Sequence, residues 1–206
     1  MSRTLESNQS ILEGIMTTVC PEPAGASLAR RVNIAPMGPI VDASVTELIL
    51  RPFRTSTTYR NLKATGEGVF HVTDDVLLMA RAAIGPVAPG DDLPVRPAER
   101  VTGLVLTGAC RYHELRVVEL DDRRERTRIV AHVIGGGRLR DFFGFNRARH
   151  AVLEAAILAT RLHLTGAGPV LKEYERLQAT IDKTGSEIEH ESMAELWQFV
   201  RKAEGG

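Results

Sequence analysis

The chain has 206 residues, 43% hydrophobic and 25% charged, an ordinary globular composition that excludes disorder and collagen-like repeats. Its 26 Lys and Arg residues balance 26 Asp and Glu residues, so the overall charge gives no attraction toward nucleic acid or an anionic membrane. Cys20 and Cys110 lack the spacing of a disulfide framework or a zinc site. Because it has no signal-peptide pattern and no long apolar run, we expect a cytoplasmic protein without a membrane span or a metal.

The first third of the chain is rich in apolar and β-branched runs. Residues 11–20, 30–41 and 46–51 predict strands, the second of them interrupted by two prolines. A short helix follows over 59–65 and ends at a glycine, where a left-handed cap is favoured. Residues 69–73 predict the next strand.

The middle of the chain alternates a helix, a proline-rich loop and a hairpin. Thr73 or Asp74 is the expected cap of a helix over 76–83. The loop over 86–100 carries four prolines and is a candidate lid or dimer arm. Two β-rich runs on either side of a short charged turn then predict a long hairpin, over 110–120 and 126–134. The three glycines that follow, at 135–137, predict a flexible corner.

From Asn146 the apolar period becomes helical. A buried helix runs to Leu164 and ends over 165–169, and a helical hairpin follows over 170–181 and 192–202. About six strands without βαβ alternation favour an α+β fold built on a small antiparallel barrel. We therefore expect a barrel domain over 1–141 and a helical portion over 142–206 packed on it.

A cluster of anion-binding groups lies around the predicted helix 59–65. Arg51 is followed by four consecutive hydroxyl residues, Thr55, Ser56, Thr57 and Thr58, and then by the helix start. A helix start offers free N–H groups, hydroxyls add neutral donors, and a guanidinium binds phosphate oxygens in a bidentate manner. The pattern suits a phosphate monoester.

A structural alternative explains the same residues without a ligand. Thr57 or Thr58 caps the helix, and Arg51 and Arg54 are solvated. The residue pattern by itself leaves both interpretations open.

A second basic cluster begins the long helix. Asn146 is a good N-cap, and Arg147 and Arg149 lie where the helix dipole disfavours cations unless an anion is present. In the alternative interpretation Phe142, Phe143 and Phe145 belong to the core, both arginines are exposed, and His150 pairs with Glu154.

Five segments together resemble a known family. They are residues 33–38, 51–53, 55–62, 68–75 and 145–150, and their order and spacing are similar to those of domain-of-unknown-function family number four-four-seven, which is related to the flavin reductases. The resemblance spans nearly the whole chain. It implies a split β-barrel that binds flavin mononucleotide (FMN), flanking helices with a C-terminal helical hairpin, and a homodimer with flavin near the subunit interface.

The resemblance also implies roles for particular residues. Asn33, Ala35 and Pro36 would line the flavin ring. The ribityl phosphate would be held by Arg51, Thr55, Ser56, Thr57, Thr58 and Asn61. His71, Asn146, Arg147 and His150 are looser candidates for substrate or interface contacts, and no catalytic residue is implied.

The expected function is that of an FMN-binding protein of the flavin-reductase type, an oxidoreductase acting on an unknown small molecule with an unknown electron donor. The alternative is a non-catalytic flavin or ligand-binding module, with a link to one-carbon cofactor biosynthesis suggested by the family alone. Nucleic-acid binding is disfavoured, because the net charge is zero and only 5% of the residues are aromatic.

Overall fold

The computed structural model describes residues 9–21, 27–90 and 92–204. The chain divides into two compact units, the first formed by Met1–Thr73 and Ala88–Asp141 and the second by Asp74–Val87 and Phe142–Gly206. Residues 74–87 thus group with the C-terminal helices. The domain boundary placed after residue 141 stays a prediction.

The first unit contains the strands. Within the described residues they are β1 (Ser10–Ile11), β2 (Gly14–Val19), β3 (Val32–Met37), β4 (Ile40–Val41), β5 (Glu47–Leu50), β6 (Glu67–Val72), β7 (Val95–Pro97), β8 (Leu104–Leu106), β9 (Arg111–Asp121) and β10 (Arg128–Arg138). Two helices belong to the same unit, α1 (Leu28–Arg31) and α2 (Thr57–Thr65).

Eight of these strands form one curled antiparallel sheet, in the order β1-β4-β5-β10-β9-β6-β2-β3. Its core joins Met16, Leu48, Phe70, Leu115 and Ile129, which are all fully buried. These side chains come from β2, β5, β6, β9 and β10, so the apolar faces of five strands meet in one cluster. The predicted antiparallel α+β architecture is confirmed.

The glycines at 135–137 lie inside β10 and not at a flexible corner, so that prediction was wrong. They pair with Tyr112, His113 and Glu114 of β9, beside a register shift between Val133 and Gly135. A Cβ atom on Gly137 would lie 3.0 Å from the Tyr112 ring, and one on Gly136 only 2.5 Å from the Tyr112 carbonyl oxygen. The strand needs glycine here because its partner strand approaches closely.

The proline-rich loop contains a strand that the sequence pattern did not reveal. β7 pairs with β8 as a separate antiparallel pair, with Val95 opposite Leu106. Proline is compatible with such an edge position because a ladder hydrogen bond is needed on one side only.

The segment after β7 is held by a buried carboxylate. Glu114 of β9 is 1% exposed and accepts the backbone N–H groups of Glu99, Arg100 and Val101 at 3.1, 2.5 and 3.1 Å. Three donors to one carboxylate offset the cost of burying its charge. The backbone of residues 99–101 is therefore hydrogen-bonded to the sheet.

The second unit is helical. Within the described residues its helices are α3 (Val76–Ile84), α4 (Arg147–Thr160), α5 (Leu162–Thr165), α6 (Ala167–Thr184) and α7 (Glu187–Glu204). They share a core to which α4 contributes small residues, Ala148, Ala155 and Ala159, and into which Tyr174 of α6 is fully buried. Small side chains on α4 let the neighbouring helices approach closely.

Helix ends differ from the sequence-based expectation at several places; helices α6 and α7, for example, begin at Ala167 and Glu187 and not at 170 and 192. Asp75, and not Thr73 or Asp74, caps α3, since its carboxylate accepts the Leu78 N–H at 2.9 Å. The long helix predicted from Asn146 ends at Thr160, whose hydroxyl donates to the Ile157 carbonyl at 2.7 Å. Such local side-chain bonds compete with helix continuation.

Across the described ranges, no helix combines the length and apolar character that crossing a bilayer requires.

Glu114→Gln tests the loop attachment. The amide loses the negative charge and turns an N–H₂ group toward the three donors, so the free energy of unfolding should fall by about 2–3 kcal/mol. Urea denaturation measures the change. Glu119→Gln, at an exposed position of the same strand, is the matched control and should change stability by less than about 0.5 kcal/mol. Equal effects of the two substitutions would contradict the role of Glu114.

Candidate functional site

The hydroxyl-rich segment is the start of helix α2. Ser56 is the N-cap, since its Oγ accepts the Tyr59 N–H at 3.2 Å, so the alternative in which Thr57 or Thr58 caps the helix was wrong. At the other end Gly66 adopts φ +68° and donates its N–H to the Leu62 carbonyl, the predicted left-handed cap. These two caps fix where α2 begins and ends.

Helix α2 is joined to strands β2 and β3 by amide–hydroxyl hydrogen bonds, one buried and one partly buried. Asn33 Nδ2 donates to Thr58 Oγ1 at 3.1 Å, and Asn61 Nδ2 donates to Thr18 Oγ1 at 3.1 Å. Thr18 and Asn33 are opposite each other in the β2–β3 pair. The residues assigned to the flavin ring and those assigned to its phosphate therefore meet in space.

The hydroxyl residues differ in exposure. Thr55 and Thr57 are exposed and Ser56 is half-buried, whereas Thr58 and Asn61 are each 3% exposed. The roles of Thr58 and Asn61 as phosphate ligands stay predictions, and both residues already hold α2 against the strands. The surface offered at the helix start is formed by residues 55–57.

Arg60 is a member of the site that the sequence reasoning missed. Its guanidinium donates to the Thr55 carbonyl at 2.8 Å and to Thr57 Oγ1 at 3.0 Å, so a positive charge lies against the exposed hydroxyls. The signal was present in the i,i+3 spacing of Thr57 and Arg60, which places them on one side of a helix.

Two further arginines carry a buried donor without an acceptor. Nε of Arg51 and Nε of Arg31 have no hydrogen-bond partner among the described residues. Arg31 is partly anchored, since its Nη1 donates to the Cys20 carbonyl at 3.2 Å. Unpaired buried donors are uncommon and costly, so each requires an explanation.

Strand β3 forms one edge of the eight-stranded sheet. Ala35 and Pro36 lie on it opposite Met16 and Ile15 of β2, and both are half-buried. An edge strand has backbone groups that no neighbouring strand uses. The edge next to Asn33 can therefore bond a ligand that lies along it.

His71 lies in the interior, which corrects its interpretation as a substrate or interface residue. Its side chain is fully buried, Nε2 accepts the Leu106 N–H at 3.0 Å, and Nδ1 donates to the Ile15 carbonyl at 3.2 Å. Both ring nitrogens are used, which fixes the neutral tautomer. Desolvation by burial lowers the pKa of His71 from 6.5 to about 4.

The start of α4 has the predicted Asn146 cap, whose Oδ1 accepts the Arg149 N–H at 3.1 Å. The Arg149 guanidinium meets two buried carboxylates, Asp74 at 3.3 Å and Glu189 at 3.1 Å. Glu189 also accepts from the Ser186 N–H and hydroxyl at the start of α7. The anion expected beside Arg149 is thus supplied by the protein itself.

Arg147 and His150 lie on the surface of the helical unit. With Phe145, Glu154, Leu177 and Thr180 they line an open groove of about 390 Å³. The ring of His150 lies 5.9 Å from that of Phe145, and within the described part of the chain it has no ion pair with Glu154.

The neighbouring phenylalanines are not core residues. Phe142, Phe143 and Phe145 are 49%, 67% and 94% exposed. The groove stays a candidate for substrate contacts.

Comparison with known proteins identifies the family. The family model described as "Protein of unknown function (DUF447) N-terminal domain" matches residues 25–140, and "Protein of unknown function (DUF447)" matches residues 146–202. The chain belongs to the DUF447 family. The predicted kinship is confirmed. A search of the curated proteins gave no match.

Among solved structures, the FMN-bound protein MM1853 from Methanosarcina mazei, also of DUF447, is similar at 21% identity over 92% of this chain and 94% of its own, with a TM-score of 0.76. This likeness confirms the split-barrel fold predicted for the DUF447 chain. Flavoredoxin of Desulfovibrio vulgaris (Miyazaki F) matches at 13% identity over 66% of this chain and 73% of its own, with a TM-score of 0.49.

The buried His71 makes stability depend on pH. Its pKa is lower in the folded state, about 4 against 6.5, so the unfolded chain binds more protons between these values. The contribution of His71 is complete above about pH 6.5 and is lost as the pH falls toward 4. It should remove about 2 kcal/mol of unfolding free energy between pH 7 and pH 5.

Urea denaturation at both pH values measures this slope. His71→Asn keeps a donor toward the Ile15 carbonyl but cannot take up a proton, so most of the slope should disappear even though the variant is less stable. His132→Asn, at an exposed histidine of the same sheet, should retain the slope. If the slope of His71→Asn equals that of wild type, the neutral state of His71 is not its cause.

Proposed function

We propose that the chain binds FMN, with the phosphate at the start of α2 and the isoalloxazine ring along β3, and uses it as an oxidoreductase acting on a small molecule. One observation carries the proposal. The 3.1 Å hydrogen bond from Asn33 to Thr58 joins β3, the strand proposed to contact the ring, to α2, the helix proposed to bind the phosphate.

The phosphate end fits a dianion. Ser56 already accepts the N–H groups of Tyr59 and Arg60, which leaves those of Thr57 and Thr58 for a ligand. Thr55 and Thr57 expose hydroxyls, and the first turn contains no acidic residue. Arg60 already lies against this segment. Nε of Arg51 has no acceptor among the described residues, which supports a ligand, since a phosphate oxygen would satisfy the guanidinium in a charge-assisted bond.

The ring end fits a flat, partly polar heterocycle. Backbone groups along the free edge of β3 can bond the polar rim of a flavin, and Ala35 is too small to block its face. When bound, the flavin supplies the redox chemistry by accepting and returning two electrons, and the protein supplies binding and orientation.

The similarity to the FMN-bound Methanosarcina mazei protein supports the choice of FMN among phosphorylated ligands. The proposed oxidoreductase activity is tested by mixing the FMN-loaded protein with a nicotinamide or a deazaflavin donor. A donor that reduces the bound flavin bleaches its absorbance. Bound flavin that no donor reduces would leave a non-catalytic flavin carrier.

Absorbance of the purified protein, before and after addition of FMN and desalting, tests the binding itself. Flavin bands that stay with the protein are the expected result. A colourless protein that retains no added FMN would overturn the proposal.

Arg51→Ala tests the phosphate assignment. Loss of one charge-assisted bond of about 1.5–3 kcal/mol should raise the Kd for FMN about 10- to 100-fold, measured by quenching of flavin fluorescence. The Kd for riboflavin, which has no phosphate, should change less than about twofold.

Arg176→Ala is the matched control for Arg51→Ala. It removes an exposed guanidinium that pairs with Glu173 on helix α6 of the second unit, and should leave both affinities unchanged. Unchanged FMN affinity in Arg51→Ala would place the phosphate elsewhere.

A further inference from the structure

The turn between β9 and β10, residues 122–127, contacts the segment that leads into α2. The Arg54 N–H donates to the Glu125 carbonyl at 2.9 Å. The Thr127 N–H and hydroxyl donate to the Pro52 carbonyl at 3.0 and 2.8 Å, and Phe53 forms a bridge with Arg126. Residues 52–54 are therefore held as a short extension of the sheet.

The same turn contacts α2 itself through Asp122. Tyr59 Oη donates to Asp122 Oδ2 at 2.6 Å, and Lys63 Nζ donates to the same oxygen at 2.7 Å and to Tyr59 Oη at 3.1 Å. Hydrogen bonds from Lys63 and then Tyr59 lower the pKa of Asp122, so the carboxylate is charged at neutral pH. Tyr59 is 6% exposed, which fixes the position of its hydroxyl.

These two attachments lie on either side of the hydroxyl residues 55–57. Residues 52–54 precede them, and Tyr59 and Lys63 follow them on α2. A segment held at both ends loses little further freedom when it binds a ligand. The turn thus sets the position of the groups that would meet a phosphate.

The ion pair of Asp122 with Lys63 contributes little to the stability of the fold. The side chains of Lys63 and Asp122 are 55% and 27% exposed, and ion pairs this close to water contribute little to folding. The distinctive effect of Asp122 is geometric, since it binds two residues of α2 one helical turn apart.

We propose that Asp122 is a positioning residue for the phosphate site, so that discrimination between FMN and riboflavin depends on it. The inference rests on the proposed function. Asp122 does not touch the phosphate. It acts through Tyr59 and Lys63, which set where the first turn of α2 lies relative to residues 52–54.

The experiment measures the Kd of FMN and of riboflavin for the full chain by fluorescence quenching. Asp122→Ala should raise the Kd for FMN about tenfold, equivalent to about 1.4 kcal/mol, and that for riboflavin less than about twofold. Asp122→Asn keeps an acceptor for Tyr59 Oη and should lie between wild type and Asp122→Ala. This partial rescue distinguishes positioning from general loss of structure.

Asp121→Ala is the matched control. Asp121 is the adjacent carboxylate, and its side-chain bonds are to Arg123 of the same turn, so both affinities should equal those of wild type. If Asp122→Ala weakens FMN and riboflavin by the same factor, or changes neither while wild type prefers FMN, the positioning role is wrong and the proposed function stands. If wild type binds no FMN, both proposals fail.

Discussion

The candidate site depends on the polar contacts that α2 makes with β2 and β3. Amides and hydroxyls removed from water are costly unless they are paired, and here Asn33 pairs with Thr58 while Asn61 pairs with Thr18. Sliding α2 along the strands would separate both pairs at once. These bonds therefore fix the register of the helix against the sheet, and with it the direction in which the N–H groups of α2 point.

Much of the local structure could be predicted from the sequence because its causes are local. The Gly66 and Asn146 caps depend on the conformation and side chain of one residue, and the β9–β10 hairpin on two β-rich runs with a charged turn between them. The cluster of hydroxyl residues before α2 was visible for the same reason, since its residues lie within one short segment of the chain.

What could not be predicted depends on residues that are distant in sequence. Nothing near His71 shows that Ile15 and Leu106 will take both ring nitrogens, and nothing near Arg149 points to Asp74 or Glu189. The glycines of β10 predict a flexible corner, but the strand needs glycine there because Tyr112 on the neighbouring strand lies too close for a Cβ atom. In each case the sequence pattern was recognised, but the residue that explains it is distant in sequence and is brought near only by the tertiary fold.

The N-termini of α2 and α4, which the sequence pattern indicated as candidate anion sites, differ in the charges that surround them. At α4 the Arg149 guanidinium faces two buried carboxylates, so negative charge is already supplied beside the helix start. At α2 the first turn has no acidic residue and Arg60 adds positive charge, while Arg51 keeps a buried donor that has no acceptor in the described part of the chain. A bound anion would be redundant at the start of α4, whereas at the start of α2 it would supply the negative charge that is missing. Arg149 therefore needs no phosphate to explain it, and the charge balance favours α2 as the anion site.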